Sequence, residues 1–270
     1  MRIPFQLFNQ LFNEYRNLNP SVNKIHQLFE NTGEEIINDH IAFRTLNFPD
    51  ITIDKLAQPF IENGYKEKGN YRFKEKKLTA KHYEIPNNLS APKIFISQLM
   101  TDELSETSQR LINSVYSDLQ SNLNKSSNLL FEGNFWGVPD YHIYEQLLKE
   151  SEYAAWFYVF GFRANHFTVN VNYLENFDSL EAVNEFLKEN NFKLNTSGGE
   201  IKGSPQQYLE QSSTLADIIP VRFSDKVHHI PACYYEFARR YPQANGELYN
   251  GFIASSADKI FESTNFRDLK

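Results

Sequence analysis

Two histidines and one glutamate have the residue types and the placement of a metal-binding triad. His40 lies in the segment DHIAFRTL and His166 in the segment NHFTVNVN, and each follows a small polar residue, Asp39 or Asn165, in an otherwise apolar strand pattern. The third candidate, Glu236, lies in the segment ACYYEFARR. Because side chains alternate between the two faces of a strand, Glu236 points away from the aromatic residues on either side of it.

Two histidines and one carboxylate can occupy one triangular face of an octahedral metal, which leaves three positions open for substrate and oxygen. This facial triad is typical of non-haem Fe(II) oxygenases. The same residue types also hold catalytic zinc. We therefore expect one divalent metal, with Fe(II) as the best candidate, although the residue types alone do not separate Fe(II) from zinc or another divalent metal.

A simpler interpretation competes with metal binding at these positions. A lone strand histidine is more often a hydrogen-bonded core residue than a ligand, and Glu236 can form an ion pair with Arg239 or Arg240. Two observations favour a metal site. The histidines occupy the same point of a repeated pattern, and a carboxylate buried among aromatic residues is costly unless it is paired or coordinated.

Four further residues are candidates for substrate binding. Arg44 follows His40 by four residues on the same strand face, about 13 Å along an extended strand. Its planar guanidinium can reach back and bind a substrate carboxylate, so we predict a catalytic and substrate-binding role. An interior salt bridge is the alternative, with equal weight. Gln211, Ser212 and Ser213 of the segment QSSTLAD offer an amide and hydroxyls, or else only form a turn before the next strand.

The elements that would position these residues form a diverged internal repeat. Each histidine strand precedes an amphipathic helix and several strand-like runs, in modules that span about residues 34–100 and 163–240. In the first module the runs cover residues 71–76, 80–85 and 93–99. In the second they lie near residue 200 and at residues 208–213, 221–223 and 233–238.

The order of these elements predicts an α+β fold with two βαβββ modules in a single domain. It resembles the layout of vicinal-oxygen-chelate proteins, in which two modules close a curved sheet around a metal. Helical patterns add two N-terminal helices (residues 4–32), a helical connector (residues 101–160) and a C-terminal helix (residues 252–264). His82 is expected to line the cavity, whereas the adjacent His228 and His229 receive no role.

Composition excludes several classes of partner. The 270 residues carry a formal net charge of -7 and no cluster of unmixed basic residues, so nucleic acid is not an expected partner. The longest apolar run, Ala154–Phe162, is too short to span a membrane. The single cysteine, Cys233, excludes an intramolecular disulfide and fits a reducing compartment, so we expect a cytoplasmic protein.

Five segments together resemble the 2-oxoadipate dioxygenase/decarboxylase family, also called hydroxyglutarate synthases. They are DHIAFRTLN, FRANHFTVNVN, LEQSSTLADIIPVRF, YYEFARR and ADKIFEST, and they span about residues 35–265. The combination of HIAFR with QSSTLAD is fairly specific to this family. The chain lacks the extra segments that longer members insert, and those segments can shape the substrate pocket.

The resemblance implies Fe(II) bound by His40, His166 and Glu236, with Arg44 as a carboxylate-binding residue. It also implies two small-molecule partners, a 2-oxo acid and dioxygen, and the conversion of 2-oxoadipate to 2-hydroxyglutarate and CO2 in lysine catabolism. A fold does not determine its chemistry. One alternative is another metal-dependent lyase, isomerase or hydrolase on the same scaffold. The other is a non-catalytic protein that binds a small molecule.

Overall fold

The computed structural model describes residues 5–88, 90–123, 128–253 and 259 of the chain. Its helices are α1 (Phe5–Leu18), α2 (Pro20–Asn31), α3 (Ile53–Glu62), α4 (Glu106–Leu123), α5 (Tyr141–Glu150), α6 (Glu152–Phe160) and α7 (Leu180–Glu189). Its strands are β1 (Asn38–Leu46), β2 (Lys66–Phe73), β3 (Leu78–Glu84), β4 (Lys93–Leu99), β5 (Ala164–Asn170), β6 (Lys202–Ser204), β7 (Leu209–Ser213), β8 (Ile218–Arg222), β9 (Val227–Pro231) and β10 (Glu236–Arg240). Within the described residues, no helix combines the length and the apolar character needed to cross a membrane.

Eight of these strands form one strongly curled sheet in the order β2-β3-β4-β1-β5-β10-β7-β6. In each half, the first strand lies parallel to the last one, so that β1 pairs with β4 and β5 pairs with β10. The strands β1 and β5 pair with each other in antiparallel orientation and join the two halves. This arrangement is the α+β fold with two βαβββ modules that the sequence predicts.

The second half contains an insertion that the sequence did not indicate. Strands β8 and β9 form a separate two-stranded sheet between β7 and β10 along the chain. The run at residues 221–223, which was expected in the second module, therefore lies outside the main sheet. The last strand also begins at Glu236 and not at residue 233.

The added helices lie where the sequence predicts them, as far as the structure describes them. Helices α1 and α2 fall within residues 4–32, and α4, α5 and α6 fall within the connector at residues 101–160. The expected C-terminal helix at residues 252–264 lies outside the described residues except for residues 252, 253 and 259. Residues 252 and 253 are not helical, whereas residue 259 is.

The alternation of side chains along the strands separates an apolar outer face from a polar inner face. On the outer face, Phe43 of β1 packs on Phe60 of α3 with ring centroids 5.6 Å apart, and Phe167 of β5 packs on Phe12 of α1 at 5.1 Å. Helix α2 likewise packs its Phe29 on β10. The outer face is therefore covered by helices, which leaves the inner face to carry the polar side chains of β1 and β5.

The connector supplies one wall of the inner face. Every residue of α6 from Tyr153 to Phe160 is buried, which explains the long apolar run in the sequence as a core helix. The hydroxyl of Tyr153 donates to the backbone oxygens of Thr45 and Ser97 at 3.1 and 2.7 Å, and so attaches α6 to β1 and β4. Helix α6 is thereby fixed against the inner face of the first module.

Gly161 ends α6 and turns the chain into β5. Its backbone angles, φ +68° and ψ −138°, belong to a region that is almost confined to glycine. A Cβ at this position would lie 2.0 Å from the backbone oxygen of Gly133, which already accepts a hydrogen bond from the Phe162 amide. The position of β5 relative to α6 thus depends on the absence of a side chain at residue 161.

We predict that Gly161→Ala lowers the free energy of unfolding by about 4 kcal/mol or more, because the new methyl group meets backbone atoms. Gly33→Ala is the matched control, since Gly33 also has a positive φ (+88°) but no atom within 4 Å of an added Cβ. The control should lose only about 1–2 kcal/mol, the cost of a left-handed backbone. Urea unfolding of both variants measures the difference, and equal losses would contradict the steric argument.

Candidate metal centre

The ligand atoms of His40, His166 and Glu236 converge on one point of the inner face. The Nε2 atoms of the two histidines lie 3.4 Å apart. The Glu236 carboxylate places Oε1 3.6 Å from His40 Nε2 and Oε2 3.2 Å from His166 Nε2. Among the described residues, these three form the one group of histidine, cysteine and carboxylate side chains that can hold a metal ion.

These separations fit a metal that lies between the three side chains. Two atoms that are each about 2.1 Å from a metal lie about 3.0 Å apart at an octahedral angle and about 3.4 Å apart at a tetrahedral angle. The separations of 3.2–3.6 Å therefore allow one ion to contact all three with small movements. Glu236 Oε2 is buried and has no hydrogen-bond partner among the described residues, as expected of an atom that awaits a cation.

The pairing of β1 with β5 brings the two histidines together and also orients them. The register of this ladder shifts by one residue just before each histidine, at Asp39 in β1 and at Asn165 in β5. A bulge of this kind redirects side chains. His40 Nδ1 lies 2.8 Å from the Asp39 carboxylate, and His166 Nδ1 lies 3.1 Å from the Asn165 amide oxygen. Each Nδ1 therefore carries the proton, and each Nε2 is free to bind a metal.

Burial sets the protonation of the triad. Burial lowers the pKa of His40, although the neighbouring Asp39 opposes this change. Burial holds the pKa of His166 well below its usual value, and the neighbouring His40 and Arg44 side chains lower it further. Burial also raises the pKa of Glu236 to about 8, despite a hydrogen bond from Gln211. The histidines are thus neutral, as metal binding requires, and a cation would compensate for the lost hydration of the carboxylate.

Gln211 and Thr168 complete the surroundings of the ligand atoms. The Gln211 amide donates to Glu236 Oε1 at 2.5 Å, which fixes the carboxylate and leaves Oε2 available. The Thr168 hydroxyl lies 3.1 Å from His40 Nε2. In the ladder, Thr168 stands opposite both His40 and Glu236. Thr168 follows His166 by two residues and so shares its strand face, but this spacing by itself does not indicate a role for a threonine.

Arg44 lies on the same inner face and is 1% exposed. Its guanidinium packs on the rings of Tyr153 and Trp156, with Cζ 4.8 and 4.9 Å from the two ring centroids. No carboxylate within the described residues forms an ion pair with it, and its Nε and Nη1 atoms have no hydrogen-bond partner there. The alternative of an interior salt bridge is therefore wrong for the described residues. A buried, unpaired cation is costly and points to an anionic ligand.

The other candidate substrate-binding residues divide between the two faces of β7. Ser213 is buried opposite Glu236 in the ladder and so shares the inner face, as does Gln211. The Ser212 hydroxyl instead donates to Asn184 of α7 at 2.7 Å, on the outer face. The alternation of side chains along β7 thus separates Ser212 from the triad, and we remove it from the predicted substrate-binding set.

The remaining histidines have structural partners of their own. His82 lies on the inner face, as expected, and contacts the Tyr71 hydroxyl and the Glu84 carboxylate through its two ring nitrogens. His228 lies in β9, away from the triad, and stacks on Tyr141.

Two aromatic residues beside the ligands were not identified from the sequence. The Tyr234 ring stacks on His166 with centroids 4.9 Å apart, and the Phe252 ring meets His40 edge-on at the same distance. Both residues are buried. Tyr234 shares a strand face with Glu236, which is a usable signal. Phe252 follows a segment without periodicity, so the sequence gave no signal for its position.

The duplicated βαβββ sheet, with a triad on its inner face that can hold a metal ion, has the fold of vicinal-oxygen-chelate proteins. A Ralstonia eutropha protein, named provisionally as a member of the glyoxalase superfamily, shares this fold with a TM-score of 0.72. That alignment covers 90% of this chain and 83% of the other at 20% identity, so it supports the fold alone.

The chain belongs to the 2-oxoadipate dioxygenase/decarboxylase family, whose profile matches residues 7–246. The chloroplastic 2-oxoadipate dioxygenase/decarboxylase of Arabidopsis thaliana is 36% identical, over 96% of this chain and 76% of the relative. The crystal structure of the Oryza sativa hydroxyglutarate synthase in complex with 2-oxoadipate has a TM-score of 0.91 at 35% identity, over 98% and 92% of the two chains. The family predicted from the sequence, and with it an enzyme, is confirmed.

A further solved structure is closely similar but has a different name. It is a protein of Shewanella frigidimarina, named provisionally as a hydrolase, with a TM-score of 0.87 at 47% identity. The alignment covers 94% of this chain and 99% of the other.

We predict that His166→Ala abolishes stoichiometric metal binding, because two remaining ligands cannot hold an ion against water and buffer. Elemental analysis of anaerobically purified protein after loading with one equivalent of Fe(II) measures the change. His142→Ala is the control, since His142 is exposed and hydrogen-bonds only to its own helix, at Gln146. Retention of metal by the His166 variant would exclude the triad as the site.

Proposed function

We propose that this chain is an Fe(II)-dependent dioxygenase that decarboxylates 2-oxoadipate and yields 2-hydroxyglutarate and CO2. The proposal rests on one observation above all: a triad that can hold a metal ion lies on the same inner face of the sheet as a buried guanidinium with no ion-pair partner among the described residues. A 2-oxo dicarboxylic acid carries a chelating group at one end and a carboxylate at the other. Its two ends match the two features of the site, and the family name of the relatives agrees with this substrate.

His40, His166 and Glu236 would hold the metal through Nε2, Nε2 and a carboxylate oxygen. Bound Fe(II) supplies the redox chemistry with dioxygen and the adjacent open positions that the carboxylate and keto oxygens of a 2-oxo acid require. Asp39 and Asn165 keep the proton of each histidine on Nδ1, away from the metal. Burial of all three ligands excludes bulk water from the reacting atoms.

Arg44 would bind the distal carboxylate of the substrate. It lies two residues beyond Ala42, which stands opposite His166 in the ladder, so the strand separates the two positions by about 6.6 Å. This separation is comparable with the length of an extended six-carbon chain. The rings of Tyr153 and Trp156 both contact the guanidinium, so the cation is positioned before the substrate arrives.

The proposed reaction balances with dioxygen as the sole co-substrate. C1 of 2-oxoadipate leaves as CO2, and the former keto carbon becomes a carboxylate with one oxygen atom of O2. The other oxygen atom becomes the hydroxyl group on the former C3. No external reductant is needed, because decarboxylation of the 2-oxo acid supplies the electrons.

We expect Fe(II)-loaded protein to consume dioxygen and release CO2 in equal amounts when 2-oxoadipate is added. An oxygen electrode, a CO2 assay and chromatographic detection of 2-hydroxyglutarate measure the three quantities. Protein loaded with zinc should be inactive. Turnover of the zinc form without oxygen uptake would instead support a lyase, an isomerase or a hydrolase, and binding of 2-oxoadipate without turnover in either form would support a binding protein.

We predict that Arg44→Met lowers kcat/KM for 2-oxoadipate about 100-fold, which corresponds to about 3 kcal/mol for a buried charge-assisted contact. With 2-oxohexanoate, which has the same chain but no distal carboxylate, the variant should differ from the wild type by less than about threefold. Arg239→Met is the control, because Arg239 is a half-buried arginine that contacts Tyr241 instead. A similar loss with both substrates would mean that Arg44 supports the fold and does not select the carboxylate.

A further inference from the structure

The two histidines of the site are oriented by residues of different charge. At equivalent points of the repeat, Asn165 offers His166 a neutral amide oxygen, whereas Asp39 offers His40 a carboxylate. The Asp39 side chain is fully buried, so its charge needs a partner. Arg240 provides this partner from the far end of β10, the strand that also carries Glu236.

Arg240 binds both carboxylate oxygens of Asp39 through one edge of its planar group. Its Nε donates to Asp39 Oδ2 at 2.6 Å and its Nη2 donates to Oδ1 at 2.8 Å. This two-point contact fixes the plane of the carboxylate, and Oδ1 is the oxygen that meets His40 Nδ1. The orientation of the His40 ring therefore depends on a guanidinium that does not touch it.

The remaining nitrogen of Arg240 holds the segment Tyr249–Phe252. Its Nη1 donates to the backbone oxygens of Tyr249 and Gly251 at 2.9 and 2.8 Å. The Phe252 ring then lies 5.3 Å from the guanidinium carbon and 4.9 Å from the His40 ring, and its amide donates to the Tyr71 hydroxyl. One guanidinium thus contacts both the carboxylate behind His40 and the segment whose aromatic ring covers His40.

We propose that Arg240 is a positioning residue that couples the Tyr249–Phe252 segment to the metal centre through Asp39 and His40. The inference rests on the proposed function only in that His40 is taken as a metal ligand. It assigns the charged pair to one histidine of the two, so the two halves of the repeat contribute unequally to metal binding. Arg240 fixes the direction of His40 Nε2 and, at the same time, seats Phe252 against the ring.

The test compares the affinity of the apoprotein for Co(II), measured by competition with a chelator, and the visible spectrum of the Co(II) form. The key variant is Asp39→Asn/Arg240→Met, because a change of one partner alone leaves a buried charge unpaired. It gives His40 the same amide partner that His166 has. We expect a 10–100-fold weaker Kd, the usual effect of removing a group that orients a ligand, and a changed Co(II) spectrum.

Arg240→Lys tests the same coupling without removing the charge. A single ammonium cannot bind both carboxylate oxygens and two backbone oxygens at once, so we expect a Kd about 3–10-fold weaker than the wild type. If the double variant fails to fold, this variant decides the question, and an unchanged Kd for Arg240→Lys overturns the proposal.

The coupling to the segment is tested by a cycle with Phe252→Ala. In the wild-type background this change should weaken the Kd for Co(II) at least threefold, because the ring that restrains His40 is lost. In the Asp39→Asn/Arg240→Met background it should have no further effect, because the segment is already released. If Phe252→Ala weakens the Kd by the same factor in both backgrounds, the two effects are independent and the coupling is overturned.

Glu210→Gln is the matched control for the charged pair. Glu210 is a buried carboxylate on β7, opposite Arg239 in the ladder, and its side chain accepts a hydrogen bond from Tyr241. Its loss should leave the Kd and the spectrum unchanged. An equal weakening by Glu210→Gln would show that any buried polar change near β10 loosens the site, and the assignment to Arg240 would fall.

Failure of this inference differs from failure of the metal site itself. The triad is contradicted if the wild-type apoprotein does not bind Co(II) stoichiometrically. It is also contradicted if the His166→Ala variant keeps the wild-type affinity for Co(II). Wild-type protein that binds Co(II) normally, together with an unchanged Kd in Asp39→Asn/Arg240→Met, contradicts only the role of Arg240.

Discussion

The antiparallel pairing of β1 with β5 is the interaction on which the site depends. It connects the two halves of the sheet, and it brings two imidazoles from residues 126 positions apart in the sequence within 3.4 Å. The one-residue shifts on this ladder place a polar side chain directly behind each imidazole. The parallel partner of β5 then adds the carboxylate. Three neighbouring strands, β1, β5 and β10, therefore provide the three side chains, two of them across the junction between the repeats.

The inner face is polar where a folded protein would normally be apolar, and this has a cost. Two imidazoles, a carboxylate and a guanidinium with no ion-pair partner among the described residues are buried there. In such a setting the ligand supplies the missing interactions, so metal and substrate should stabilise the fold as well as react. The apolar outer face, packed against four helices, compensates for this cost. The scaffold thus separates the residues that stabilise the fold from those that act on the ligand.

Much of this site follows from the sequence because its main residues lie on regular strands. His40, His166 and Arg44 could be assigned to one face by the alternation of side chains, and the repeat predicted that the two histidines meet. Local details of the strands were the first limit. The bulges at Asp39 and Asn165 change the strand face without a clear sequence signal. Ser212 was assigned to the site, although its side chain lies on the opposite face of β7 from that of Ser213, which faces the triad.

Long-range contacts were the second limit. The pairing of Arg240 with Asp39 and the position of Phe252 depend on tertiary contacts that no local pattern encodes. The hairpin formed by β8 and β9 was read as part of the main sheet, because its alternating side chains resemble those of any exposed strand. The family resemblance supplied the metal and the substrate class, which spacing alone left open.

The seam between β1 and β5 also has a consequence for synthesis of the chain on the ribosome. Strand β1 is complete at Leu46, but its partner begins only at Ala164, so the nascent first half exposes an unpaired strand edge for more than a hundred residues. Exposed edges recruit other chains, and inward-pointing charges are one means by which proteins prevent this. Asp39 and Arg44 lie on that strand. The residues that later serve the metal centre can therefore also protect the unfinished chain from aggregation.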